Sequence, residues 1–251
     1  MSHHIVQAQD LYYAYPDGTA GLQGVSFRIT HGESVALVGA NGAGKSTLLM
    51  HLNACLLPTQ GTIHVGDLPV TRKTTAAIRR TVGMVFQDSD DQLFMPTVFE
   101  DVAFGPMNLG LSGTELDTVV MGALRRVDAE HLKNRPPFKL SVGEKRRVAI
   151  AAVLAMSPDI LVMDEPSSSL DPRARRELIE LLQTFEHTKI IATHDLDMAM
   201  ELCPRAIVLG RGQVVADGPI REVFGDEQLM LQSRLEKPLS MQNCPRCNPR
   251  D

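Results

Sequence analysis

The sequence predicts an α/β fold: a mostly parallel sheet covered by helices, with an antiparallel β subdomain near the N-terminus and an inserted α-helical subdomain. Three observations predict it. Short apolar runs at Ser34–Gly39, Thr81–Phe86, Ile160–Asp164, Lys189–Thr193 and Ala206–Leu209 are continuous rather than alternating, as in strands buried on both faces of a parallel sheet. Near the start, Val25, Phe27 and Ile29 alternate with Ser26, Arg28 and Thr30, and Ile63 and Val65 flank His64, the pattern of half-exposed antiparallel strands. From about residue 88 to 157 no comparable strand occurs; Thr114–Val127 and Gly143–Met156 instead carry helical patterns.

The elements follow in order. Each buried run leads into a polar or glycine-containing turn. A helix is expected over Pro172–Phe185, with Asp171 at its cap, Pro172 in the first turn, and Leu178, Leu181 and Leu182 on one face. Residues 1–225 read as one domain with its helical insert at about 88–157. Residues 226–251 lose periodicity and read as a flexible tail ending in NCPRCNPRD.

Composition narrows the function classes. A chain of 251 residues with 43% hydrophobic content can bury a sizeable core without disulfides. Thirty acidic against 25 basic residues give a net charge of -5, so the basic footprint of a nucleic-acid binder is missing and no nucleic-acid partner is expected. No apolar run approaches the roughly 18 residues of a membrane span. Met1–Pro16 shows no basic region followed by an apolar stretch, which leads us to expect a cytoplasmic protein. Cys55, Cys203, Cys244 and Cys247 are too few and scattered for a disulfide framework. The last two form a single C-x-x-C, half the ligands of a closed metal site, and read first as part of an ordinary flexible tail, with metal sensing or intersubunit binding as the alternative.

The motifs carry the chemistry. Gly39-Ala40-Asn41-Gly42-Ala43-Gly44-Lys45-Ser46 matches G-x-x-x-x-G-K-[ST], follows a buried strand and precedes Thr47 and an apolar helix. Glycines let backbone N–H groups turn toward phosphate oxygens, Lys45 can reach the β- and γ-phosphates, and the Ser46 hydroxyl can ligate Mg²⁺. This identifies a P-loop NTPase with a RecA-like core that takes a nucleoside triphosphate. The run Ile160–Met163 ends in Asp164 and Glu165, placing Asp164 beside the metal at the C-terminal edge of the sheet and Glu165 one residue on, where it can act on water as a general base.

With these elements in place, further segments resemble the ATP-binding subunit of ABC transporters, over about residues 5–225. The resemblance implies that Tyr15, with Tyr12 and Tyr13 as rivals, stacks on adenine; that Gln87 touches Mg²⁺ and the attacking water; and that His194 contacts the γ-phosphate. Leu140-Ser141-Val142-Gly143-Glu144 resembles the family signature L-S-G-G-Q, which acts on a partner subunit's ATP, and Ser168–Asp171 resembles the loop, ending at Asp171, that joins the dimer. The chain would therefore work as a dimer, with itself or a paralogue. Two positions depart from the pattern. Glu144 should lean away from phosphate or meet a cation such as Lys145 or Arg146. Val142 disfavours glycine-like backbone angles and thickens the surface that must approach ATP.

The segment Asp88–Gly110, together with LYYAYPDGT and EKRRVAIAAVLAM, resembles ATPases of energy-coupling-factor importers, particularly the cobalt and nickel group. That implies a peripheral protein on the cytoplasmic face of the membrane, partnered by a transmembrane coupling protein and a substrate-binding membrane protein, with Mg²⁺ and ATP as cofactors. Vitamin or other substrate import is the alternative within the class. A non-transport ABC ATPase usually carries two cassettes or long insertions, and a P-loop kinase would give no reason for the signature.

Overall fold

A computed structural model describes residues 4–242. Two sheets and a helical layer organise it. The first sheet is antiparallel, in the order β2 (Ala20–Thr30), β1 (His4–Ala14), β4 (Gln60–Val65), β5 (Leu68–Pro69). The long β1 was not among the expected strands, because its Gln7, Gln9 and Asp10 break the apolar pattern. Val6, Ala8 and Leu11 nevertheless face the core.

The second sheet has six strands, with β9 (Arg205–Gly210), β3 (Ser34–Val38), β8 (Thr188–Ala192), β7 (Ile160–Asp164) and β6 (Val82–Val85) adjacent in that order and mutually parallel. The antiparallel β10 (Gln213–Pro219) closes one edge by pairing with β9. β10 escaped the sequence reading because it is an edge strand with alternating exposure, and Asp217, Gly218 and Pro219 read as a turn. The strands β3, β7 and β8, and β6 at the edge beneath the helical layer, are buried at nearly every position, which is why their sequences are continuous apolar runs.

Between β6 and β7 the described chain is helical: α3 (Val98–Asn108), α4 (Gly113–Arg126) and α5 (Val142–Leu154), with short 3₁₀ turns. Val102, Val120, Leu124, Val148 and Ile150 join these helices to a single apolar cluster that continues under β7 and β8. A second cluster fills the space between the two sheets around α1 (Lys45–Leu52). The remaining helices are α2 (Thr75–Thr81), α6 (Pro172–Gln183), α7 (Leu196–Leu202), α8 (Ile220–Gly225) and α9 (Glu227–Gln232).

The expected flexible tail needs correction over its first part. α9 is capped by the Asp226 side chain, which accepts from the Leu229 N–H, and Met230 is buried against the main cluster. Beyond it, the Asp197 carboxylate of α7 accepts from the backbone N–H groups of Leu239 and Ser240 and from the Ser240 hydroxyl. Lone apolar anchors and a backbone-to-carboxylate bond leave no periodic trace in sequence. Cys244 and Cys247 lie outside the described residues.

Candidate functional site

Four neighbouring parallel strands deliver the expected residues to one edge. β3 ends in the loop Gly39–Gly44, β8 leads to His194, β7 ends at Asp164 and Glu165, and β6 leads to Gln87. Because all four run the same way, their C-terminal ends share one rim of the sheet, the place where open α/β sheets bind ligands. A cleft of about 780 Å³ opens there, lined by Tyr15, Asn41 to Thr47, Gln87, Glu165 and His194.

The loop has the shape that phosphate requires. Gly39 sits at φ 154°, and a Cβ there would lie 2.3 Å from the Leu209 carbonyl oxygen; Gly44 sits at φ 103°, with Gly21 O 2.7 Å from its would-be Cβ. A side chain at either position would both strain the backbone and collide with it. Gly44 is also the N-cap of α1, which has no side-chain cap, so its first N–H groups remain free for an anion. Lys45 Nζ donates to Gly39 O at 2.8 Å, approaches His194 Nε2 at 3.0 Å and lies 3.9 Å from Glu165 Oε1. Burial lowers the Lys45 pKa, while Glu165 and Asp164 oppose the shift.

Asp164 is 5% exposed, and its Oδ1 has no hydrogen-bond partner. Burial raises its pKa against the opposing pull of Ser46, Lys45 and His194. An orphaned buried carboxylate oxygen beside a serine hydroxyl is a hard-oxygen donor set that fits Mg²⁺. Glu165 is held in an unusual way. Its φ of 46° is left-handed, a conformation costing about 1–3 kcal/mol for a residue with a Cβ, and is fixed by its N–H donating to Ala192 O at 2.8 Å. The Glu165 Oε2 accepts from the His194 N–H at 3.0 Å, leaving Oε1 buried and without a hydrogen bond, 3.3 Å from His194 Nε2. Burial pushes the Glu165 carboxyl up, with the His194 N–H and the nearby cations pulling it back.

At the other end of the cleft, Tyr15 lines the wall and its hydroxyl bonds Thr47 Oγ1 at 2.8 Å. Tyr13 stands edge-on behind it, 5.0 Å away and 4.7 Å from His51. Tyr12 packs by Gly24 and does not line the cleft, so of the three tyrosines Tyr15 is the one with a face to offer.

The signature segment lies elsewhere. Ser141, Val142, Gly143 and Glu144 line a separate cavity of about 440 Å³ with Asp171 and Arg173. Ser141 and Glu144 form a reciprocal capping box at the start of α5: Glu144 Oε2 accepts from the Ser141 N–H at 2.7 Å and Ser141 Oγ from the Glu144 N–H. Asp171 caps α6 by accepting from Arg173 N and Ala174 N, both at 2.9 Å.

Two expectations about this segment are corrected. The cation that meets Glu144 is Arg135, at 3.4 Å, not Lys145 or Arg146. Lys145 pairs with Asp90, and Arg146 donates to the carbonyls of Phe86 and Gln87. Val142 is the first residue of α5 with φ below zero, so a β-branched residue is unstrained there; its cost is only the bulk it presents, half-exposed, to whatever approaches. The sequence reading also missed Thr19, Ala20 and Gly21, which line the cleft beside Tyr15, and Arg175, which holds Asp195 at the start of α7 next to His194. Nothing local in the sequence marks either set, since contacts across the fold bring them in.

Comparison with known proteins gives the same picture. The family model for ABC transporters matches residues 22–168. A putative ABC transporter ATP-binding protein of Geobacter sulfurreducens is 65% identical over 98% of this chain and 99% of its own length. The energy-coupling factor transporter ATP-binding protein EcfA of Methanocaldococcus jannaschii is 45% identical over 94% of this chain and 86% of its own. The solved structure of cbiO1 from Clostridium perfringens, part of the ABC transporter complex cbiONQ, superimposes with a TM-score of 0.80 at 41% identity, over 92% of this chain and 94% of that one. Phosphate loop, unpaired acidic pair and helix-borne signature thus sit in a frame shared along nearly the whole chain, which belongs to the ABC transporter ATPases that bind and hydrolyse ATP with Mg²⁺.

Proposed function

We propose that this chain is the ATPase of an energy-coupling-factor importer that carries a transition-metal ion, cobalt or nickel, across the cytoplasmic membrane. The observation that carries the transporter reading is an open groove of about 580 Å³ between the sheet edge and the helical layer, lined by Met84, Phe94, Asp101, Phe104 and Met156. Phe94 and Phe104 stand 63% and 44% exposed while packing edge-to-face at 5.1 Å. Paired aromatics left in water fit a short helix from a membrane partner. Arg79 and Arg80 of α2 stand on the groove wall, and the sequence from Leu68 to Gln87 holds Arg72 and Lys73 besides, with no carboxylate. A basic rim suits the anionic inner face of a membrane. Among the described residues no helix is long and apolar enough to cross one. Relatives named as energy-coupling ATPases and as part of the cbiONQ complex support the importer class. The metal cargo rests on the likeness of Asp88–Gly110 to the cobalt and nickel group.

On this reading the site residues divide the work as follows. The free N–H groups of the Gly39–Gly44 loop and Lys45 bind the phosphates, and Tyr15 stacks on the adenine. Ser46, Asp164 and Gln87 would hold Mg²⁺, which would screen phosphate charge when bound. Glu165 Oε1, buried and unpaired, accepts the proton of the attacking water, and His194 steadies the γ-phosphate. Ser141, Gly143 and Glu144 line a different cavity from the one around Lys45, which fits a signature that serves another subunit's nucleotide. A second ATPase subunit, identical or paralogous, therefore supplies Ser141–Glu144 across a head-to-tail dimer, with the loop ending at Asp171 at the joint.

The test is affinity purification from detergent-solubilised native membranes, with mass spectrometry and metal analysis of the eluate, in wild type and Phe104→Glu. Polytopic partners with bound cobalt or nickel, lost in the variant, are the expected result. Partners without metal would remove the cargo assignment, and a protein found only with ribosomes or DNA would remove transport.

A further inference from the structure

Arg146 lies one turn into α5, is 3% exposed, and borders the same cavity as Ser46, Gln87 and Val142. Its guanidinium donates to two successive carbonyls of the next layer, Phe86 O at 2.7 Å and Gln87 O at 2.6 Å. Burying a cation against carbonyls rather than a carboxylate is costly, and an apolar residue of equal length would pack more cheaply. What the planar fork provides is a fixed orientation for two peptide groups at once, which a lysine, bonding as a point charge, cannot match. Neighbouring contacts act on the same segment. Lys145 Nζ meets Asp90 at 2.6 Å, and Gln92 ties Phe86 N–H to the Ala149 carbonyl of α5.

The two ends of this clamp face different nucleotides on the reading above. Gln87 lines the chain's own phosphate cleft, whereas Ser141, at the N-terminus of the same α5, lines the cavity offered to a partner. We propose that Arg146 is a positioning residue that locks the backbone of Gln87 to the signature helix, so that the chain's own ATP site and the face serving its partner's ATP move as one body. The proposal rests on the dimeric reading of the signature. Closure on one nucleotide would then be felt at the other through this fixed backbone contact rather than through the Gln87 side chain.

Hydrogen exchange of the full chain tests this in a Glu165→Gln background, where bound ATP persists. With Arg146 intact, Mg-ATP should protect residues 39–47, 86–92 and 141–147 with one common concentration midpoint. With Arg146→Met, protection of 39–47 should keep its midpoint within twofold. The midpoints for 86–92 and 141–147 should separate by about tenfold or more. Arg146→Lys, able to reach one carbonyl at a time, should fall between, and it carries the comparison alone if the methionine variant does not fold. A common midpoint retained in both variants would overturn the coupling role. So would faster exchange in both segments without nucleotide and no separation with it, which is what a merely structural arginine gives. If the parent shows no protection of 141–147 at all while 39–47 is protected, the dimeric reading itself fails, and the coupling with it.

Discussion

Replacing Glu165 by Gln isolates the carboxylate placed to act on the attacking water, one oxygen of which is buried and unpaired. The substitution keeps the shape: the amide oxygen of Gln can still accept from the His194 N–H, a bond of 3.0 Å in the wild type, and Lys45 retains its bond to Gly39 O at 2.8 Å. What disappears is the basicity of Oε1. General-base assistance is typically worth about 10²–10⁴-fold, or roughly 3–5 kcal/mol of barrier at about 1.4 kcal/mol per decade. Removing a negative charge near the γ-phosphate also removes repulsion, so ATP affinity should hold or tighten. Phosphate release under single-turnover conditions, beside titration with a fluorescent ATP analogue, reads both effects. Turnover within tenfold of wild type would refute the argument that the strained backbone at φ 46° exists to aim a base.

Three further outcomes are expected. Asp164→Asn should abolish Mg²⁺-dependent turnover and, in chelator, raise the Tm. The sign follows from burial: the folded-state pKa of Asp164 is raised, so its contribution to stability falls as pH climbs from the unfolded carboxylate value through that raised pKa, and the Tm advantage of the variant over wild type should grow across a melting series from pH 4 to 8. An advantage that shrinks with rising pH would be the wrong sign. Tyr15→Ala should weaken ATP binding by about 1–3 kcal/mol, the usual worth of base–aromatic stacking, while Tyr12→Ala, outside the cleft, should leave the dissociation constant unchanged in the same titration. Val142→Gly removes a 52% exposed side chain from the surface offered to the partner. It should tighten ATP-driven dimerisation, measured by sedimentation, at a stability cost of about 1 kcal/mol for a helical glycine; weaker dimerisation would mean that the valine itself makes a productive contact.

How much of this was legible beforehand differs by element. The buried parallel strands were plain because burial on both faces forbids polar residues, so each run announces itself locally. β1 and β10 were not, since edge and half-exposed strands tolerate Gln, Asp and Gly and owe their pairing to partners distant in sequence. Glu144 shows the same limit at the site. Its charge was visible, but whether Arg135, Lys145 or Arg146 answers it depends on which way α5 turns Glu144, Lys145 and Arg146.

By itself the sequence determined the nucleotide, the acidic pair and the order of motifs, because phosphate binding demands glycines, a lysine and a hydroxyl at fixed short spacings that no other fold feature imposes. Only the tertiary structure decided that Tyr15 rather than Tyr12 faces the cleft, that Glu165 keeps one oxygen free, and that Arg146 reaches across to Gln87. Each of these turns on side-chain direction over distances of many residues, 59 in the case of Arg146 and Gln87, and direction is fixed by packing, which no local pattern of residues records.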